Sequence, residues 1–255
     1  MKRALRWVLL AALALCVSML GVTEVMRWQR HADAAPEALA AAASDAEVTV
    51  ASGRYLVLRP RRVPERMGVV FYPGAYVDVR GYLPTLKPIA AAGYRVIIVP
   101  MPMEMAVYGF DRAATVIAAN PEIDRWVLIG HSVGGAMAGV VARLHPDALR
   151  GVVIWDSYPA LSLRDYPMPV WLIHRATRGG APPASFARQR GAFPRDSTWV
   201  PIPGGIHMYF GSFVGGGYHE DWAPQITRAE QQGRVVAATL RALGEIEQAP
   251  HRSNR

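Results

Sequence analysis

From Gly68 onward the chain alternates short apolar runs with longer stretches in which apolar positions recur at helical spacing. Short runs bounded by Gly, Pro and polar residues predict strands, and the stretches between them predict amphipathic helices. The strands expected are Val69–Tyr72, Arg95–Val99, Trp126–Ile129, Gly151–Trp155, Val170–His174 and Thr198–Ile202. The helices expected lie near Leu83–Ala92, Asp111–Ala119, Val133–Leu144, Ala184–Arg190 and Ile226–Leu243. The last of these opens with Thr227-Arg-Ala-Glu230, the spacing of a capping box. Alternation of this kind predicts βαβ units and therefore an α/β fold, a mostly parallel central sheet with helices on both faces. Val48–Val50 and Tyr55–Leu58 predict two short antiparallel strands before it, followed by a Pro- and Arg-rich turn over 59–66. No internal repeat or heptad pattern is present.

A different pattern opens the chain. Met1–Arg6 is basic, Trp7–Val22 is uncharged and rich in Leu and Ala, and a charged flank follows at Glu24, Arg27 and Arg30. This is the pattern of a membrane-targeting segment. Trp7–Met26 just reaches the roughly 20 residues that a spanning helix needs, with Thr23 and Glu24 at the interface. Lys2, Arg3 and Arg6 favour a cytoplasmic N-terminus, with the remainder of the chain outside the cytoplasm. The nearest small-residue cleavage site, Ala32-Asp33-Ala34, comes only after Arg27 and Arg30, which favours an uncleaved signal-anchor over a signal peptide. Cleavage would instead make the protein secreted or periplasmic. Residues 1–33 are thus assigned to the anchor or signal peptide, 34–46 to a spacer, 47–249 to the folded domain and 250–255 to a tail.

Composition narrows the picture further. A chain of 255 residues, half of them apolar, can bury one sizeable core. Cys16 is the single cysteine and lies in the apolar segment, so no intramolecular disulfide forms. Of the net charge of +8, residues 1–30 supply five cations and one anion, while 46–249 hold 21 cations and 16 anions. The cluster Arg59, Arg61, Arg62 and Arg66 reads as a solvated face, or as a contact with anionic lipid headgroups. No aromatics interleave with these arginines, so nucleic acid is not an expected partner.

The candidate chemistry centres on Gly130-His-Ser132-Val-Gly134, between an expected strand and an expected helix. G-x-S-x-G in that context is a nucleophile elbow, exposing Ser132 on a strained turn. A doubly wound sheet puts its reactive groups in the loops after the strands, so the remaining candidates belong in those loops. After the first parallel strand, Pro73–Asp78 offers the Ala75 N–H, which with the Val133 N–H would form an oxyanion hole. After the second, Met101, Met103 and Met105 suit an adaptable apolar wall for an acyl group, although core packing also accommodates them. The fourth strand ends at Asp156, while Arg175–Gly180 after the fifth contains no acid. His207, in the glycine-rich loop after the sixth, is the expected general base, with His219 in Gly217-Tyr-His-Glu-Asp221 as its rival. His31, His131, His145, His174 and His251 have weaker cases by position.

With these residues in place, the chain from about residue 66 to 243 resembles the alpha/beta-hydrolase superfamily. Phe71-Tyr-Pro-Gly-Ala, Gly130-His-Ser-Val-Gly-Gly, Ser157-Tyr-Pro-Ala and Gly204-Gly-Ile-His-Met-Tyr-Phe-Gly are most similar to the alpha/beta hydrolase family 5 group, related to dienelactone hydrolases. The resemblance implies a Ser-acid-His triad in that chain order, with no metal or organic cofactor. The chain departs from the group at one point: Arg178 stands where the acid is expected. Asp156, one strand earlier, is the candidate replacement; its alternative roles are a helix cap or a partner for an arginine such as Arg178. Glu220 and Asp221 are the next acids to consider. The expectation is a serine hydrolase cleaving an ester or related acyl bond of a small molecule, the alternative a catalytically weak or inactive hydrolase-fold binding module at the cell envelope.

Overall fold

The structure is a computed structural model and describes residues 2–249. The expected tail at 250–255, with His251, lies outside the described residues. An eight-stranded mixed sheet forms the centre. Its strands are β2 (Val48–Ser52), β3 (Leu56–Pro60), β4 (Met67–Tyr72), β5 (Tyr94–Ile98), β6 (Trp126–His131), β7 (Gly151–Trp155), β8 (Val170–Ala176) and β9 (Thr198–Pro203), in spatial order β2-β3-β5-β4-β6-β7-β8-β9. The first two are antiparallel to their neighbours and the remaining six run parallel.

Apolar residues in the parallel strands divide alternately between two layers, because successive side chains point to opposite faces. Val69, Phe71, Val127, Ile129, Val153 and Trp155 pack on one side with α3 (Leu83–Ala91) and α7 (Arg228–Gln248). Val70, Tyr72, Leu128, Val152 and Ile154 pack on the other with α4 (Arg112–Ala118), α5 (Val133–Leu144) and α6 (Ala184–Arg188). Burial on both faces is what makes these strands near-continuous apolar runs. Helix α7 begins at Arg228, two residues later than expected, because Thr227 Oγ1 caps it by accepting from the Glu230 N–H at 3.1 Å. The reciprocal half of the expected capping box is replaced by an ion pair between Glu230 and Arg234.

Two features of the topology position the site. First, the chain leaves β4 for β5 on one side and then crosses back to β6 on the other. Loops after β4 and β6 therefore diverge and leave a crevice at the carboxyl edge. Second, the N-terminal region does not end in a free spacer. Helix α1 (Lys2–Arg30) is exposed along most of its length, and its most apolar stretch, of mean hydropathy 2.2, is long enough to cross a membrane.

It runs directly into β1 (Ala32–Ala34), which pairs antiparallel with β10 (Phe213–Gly215), and then into the short helix α2 (Pro36–Ala40). The stretch expected as a spacer is thus partly folded against the domain: Ala34, Ala35 and Ala38 are buried, and the Ala35 N–H donates to Ser212 O. Small alanine side chains fit this tight packing, and at the sequence level they carry no apolar periodicity to announce it.

Candidate active site

Ser132 sits where β6 ends and α5 begins, with φ 54° and ψ −125°. A non-glycine residue in this region stores strain of about 1–3 kcal/mol, held in place by its surroundings. Here those surroundings are two glycines. A Cβ on Gly130 would stand 2.3 Å from Gly134 O, and one on Gly134 would stand 2.2 Å from Tyr72 O. Strand and helix can come this close only without side chains, and the resulting bend presents Ser132 at the crevice.

The loop after β4 is held by specific contacts. The Gly74 N–H donates to Tyr82 Oη at 2.9 Å, and that hydroxyl meets His131 Nδ1 at 2.7 Å. Tyr76 donates its N–H to Glu104 O at 3.0 Å. Ala75 lies between these two occupied donors, and among the described residues neither its N–H nor that of Val133 has a protein acceptor. Burial holds the His131 imidazole well below its ordinary pKa, with the nearby His207 adding to the effect. His131 is therefore neutral and accepts the tyrosine proton at Nδ1.

Asp156 follows β7 directly and adopts φ 47°, a left-handed conformation that aspartate tolerates better than most residues. Its side chain is fully buried. Oδ1 accepts the Arg175 N–H at 2.8 Å, and Oδ2 meets both the Arg175 guanidinium and His207 Nδ1, the latter at 2.6 Å. Burial alone would push this carboxyl up, but the hydrogen bond and charge of His207 together with Arg175 outweigh it and hold the pKa at about 2. Arg175 also pairs with Asp221 at 2.7 Å.

The turn carrying His207 is fixed from both ends. Gln231, buried on α7, accepts from the Ile206 N–H and donates to Ile206 O, while Glu220 accepts from the N–H groups of His207 and Met208, each at 2.8 Å. Tyr218 stacks on the imidazole at 4.1 Å between ring centroids.

Two cavities flank Ser132. One of about 330 Å³ is lined by Gly74, Ala75, Tyr76, Met105, Val133, His207 and Tyr218, together with Met26 and Arg30 from the end of α1. The other, about 310 Å³, lies towards Ser157, Tyr158, Arg175, Ser185 and Phe186. Both are of the size that holds small ligands.

The structure thus brings Ser132, His207, Asp156, Ala75 and Val133 into one locality. It leaves His219 exposed, commits Glu220 to backbone N–H groups and turns Arg178 towards Gln225. Asp156 neither caps a helix nor partners Arg178; its arginine is Arg175. Of the methionines after β5, Met105 lines the cavity and Met101 packs in the core. Sequence reasoning missed Arg175 as the partner of Asp156 and Tyr82 as a site residue. The arginine, which with His174 breaks the apolar run of β8 near its end, was the available signal; the tyrosine gave none. Met26 and Arg30 were missed because they lie in the segment expected to be an anchor or signal peptide, outside the folded domain.

A family model described as alpha/beta hydrolase family matches residues 68–233. No curated relative matches by sequence. Among solved structures, a predicted CIB-like hydrolase from Thermoplasma acidophilum is 13% identical, covering 78% of this chain and 99% of that one, with a TM-score of 0.58. Est1E from Butyrivibrio proteoclasticus is 10% identical over 78% and 100% of the two chains, TM-score 0.53. The naproxen esterase of Bacillus subtilis is 13% identical over 88% and 98%, TM-score 0.55.

Proposed function

Because the chain belongs to the alpha/beta hydrolase family, we propose that it is a serine hydrolase cleaving a carboxylic ester or related acyl bond through Ser132, His207 and Asp156. The observation that carries this reading is the 2.6 Å contact between Asp156 Oδ2 and His207 Nδ1, beside the cavities that flank Ser132. A carboxylate at Nδ1 fixes the tautomer that leaves Nε2 free to accept the serine proton, and it stabilises the imidazolium that forms. Asp156 and Asp221 together carry one more negative charge than Arg175 neutralises, which leaves a counter-charge for that imidazolium.

In this mechanism Ser132 Oγ attacks the carbonyl carbon and His207 takes its proton. The N–H groups of Ala75 and Val133 receive the developing oxyanion. The proton then passes to the leaving alkoxide, and water attacks the acyl-serine by the same route in reverse. The esterase-like neighbours support the same bond type at the level of fold.

Hydrolysis of p-nitrophenyl butyrate by the full chain, with labelling of Ser132 by a fluorophosphonate, tests the proposal. Wild type should turn over and label; Ser132→Ala should do neither. A folded protein that shows neither behaviour is a binding module instead. We also propose that α1 remains attached and anchors the domain outside the cytoplasm, a reading supported by its exposed apolar surface and its direct entry into β1.

A further inference from the structure

The cavity beside Ser132 has a wall built by the membrane-type helix itself. Met26 and Arg30 of α1 line it together with Ala75, Met105 and Tyr218. The helix is attached there at several points: Thr23 Oγ1 meets Tyr108 Oη at 2.7 Å, Arg27 reaches Glu104 at 3.5 Å and His31 Nδ1 meets Glu104 at 2.8 Å. Strand β1 then wedges between the site loops, pairing with β10 on one side and on the other accepting the Asp78 N–H and donating the Ala32 N–H to Tyr76 O.

Helix geometry sets the height of this wall. Twenty residues from Trp7 to Met26 rise about 30 Å, which is about the thickness of the hydrocarbon core. With that stretch in a bilayer, Thr23 and Glu24 sit at the interface, Met26 just above the hydrocarbon edge and Arg30 one turn further out, among the headgroups. Trp28, 82% exposed, falls in the interfacial zone that tryptophan prefers. The Arg30 guanidinium has no ion-pair partner among the described residues. Tyr108, bonded to Thr23, and its neighbour Val107, 48% exposed, stand at the level where the acyl chains begin.

We propose that the active site takes its substrate from the bilayer, and that the substrate is an ester-linked phospholipid whose acyl chain enters past Met26 and Met105 while Arg30 meets its phosphate. This rests on the hydrolase reading above. The Ser132 Oγ–acyl bond forms as the glycerol ester bond breaks, the proton carried by His207 goes to the departing lysolipid oxygen, and water then releases the fatty acid and restores the serine.

The test uses the full chain reconstituted in phosphatidylcholine–phosphatidylglycerol vesicles, following fatty-acid release from the vesicle lipid and p-nitrophenyl butyrate hydrolysis in the same preparation. Wild type should perform both and Ser132→Ala neither. Val107→Asp, which places a charge at the membrane boundary without touching the cavity, should slow fatty-acid release about tenfold and leave butyrate hydrolysis unchanged. Val107→Leu should behave as wild type. Butyrate hydrolysis without fatty-acid release overturns the inference and leaves the hydrolase reading standing. An unchanged release rate in Val107→Asp overturns entry at this face. Loss of both activities in wild type overturns the hydrolase reading, and the lipid substrate with it.

Discussion

Arg175 and His207 meet on the same oxygen, Oδ2 of Asp156, with the guanidinium nitrogen 3.4 Å from the imidazole Nδ1. A buried carboxylate that both neutralises an arginine and orients a histidine cannot be replaced by its amide without disturbing both. Asp156→Asn should therefore lower kcat for p-nitrophenyl butyrate by about three to four orders of magnitude, the scale seen when a triad carboxylate becomes an amide. Circular dichroism should show the fold retained, and wild-type activity in the variant would remove Asp156 from the mechanism.

Asp221 is the outer partner of the same arginine and is itself half-exposed. Asp221→Asn should leave Asp156 in place but shift the local charge balance by one unit. The expected outcome is a fall in kcat of about tenfold with KM little changed, since the loss falls on the charged transition state. A change in KM alone would assign Asp221 to substrate binding.

Tyr82 links the loop carrying Ala75 to His131 through its hydroxyl. Tyr82→Phe keeps the ring packed against Phe71 and Phe213 but leaves the Gly74 N–H and His131 Nδ1 unpaired. We expect kcat to fall about tenfold to a hundredfold, approaching the loss of an oxyanion donor, and stability to fall by about 1–3 kcal/mol for the stranded polar groups. Steady-state kinetics and thermal melting measure the two effects separately.

The depressed pKa of Asp156 also predicts a pH signature. The folded value of about 2 lies below the ordinary 3.8, so ionised Asp156 stabilises the fold at neutral pH by about 2 kcal/mol, and this contribution is lost as pH falls from about 4 towards 2. The Tm difference between wild type and Asp156→Asn should accordingly shrink across that window and stay level above it. A constant difference down to the lowest pH would mean that the carboxylate is not held in this way.

Much of the architecture was legible in the pattern of apolar positions. Strands β4 to β8 follow from runs such as Val69–Tyr72 and Trp126–Ile129, because burial on both faces leaves few polar interruptions, whereas β9, at the sheet edge, is only partly buried and follows from its short apolar run alone. Ser132 and its glycines were legible because the elbow imposes steric demands that only particular residues meet. The placement of Asp156 beside His207 was an expectation from strand-end position, while its pairing with Arg175 depends on the register between β7 and β8, which sequence does not reveal. Strands β1 and β10, three residues each, are too short for any periodicity, and they form because Ala32–Ala34 finds Phe213–Gly215 from the far end of the domain.

Only His31 separates the end of α1 from β1. A domain on a flexible tether samples a hemisphere above a membrane and meets soluble and bilayer-borne molecules alike. A domain joined by one residue and clamped by a strand has no such freedom: its serine is held at one distance and one orientation relative to α1. For a substrate drawn from the bilayer, as proposed above, the rate would then follow the number of lipid molecules per unit area of surface, and dilution of the surrounding solution would leave it unchanged.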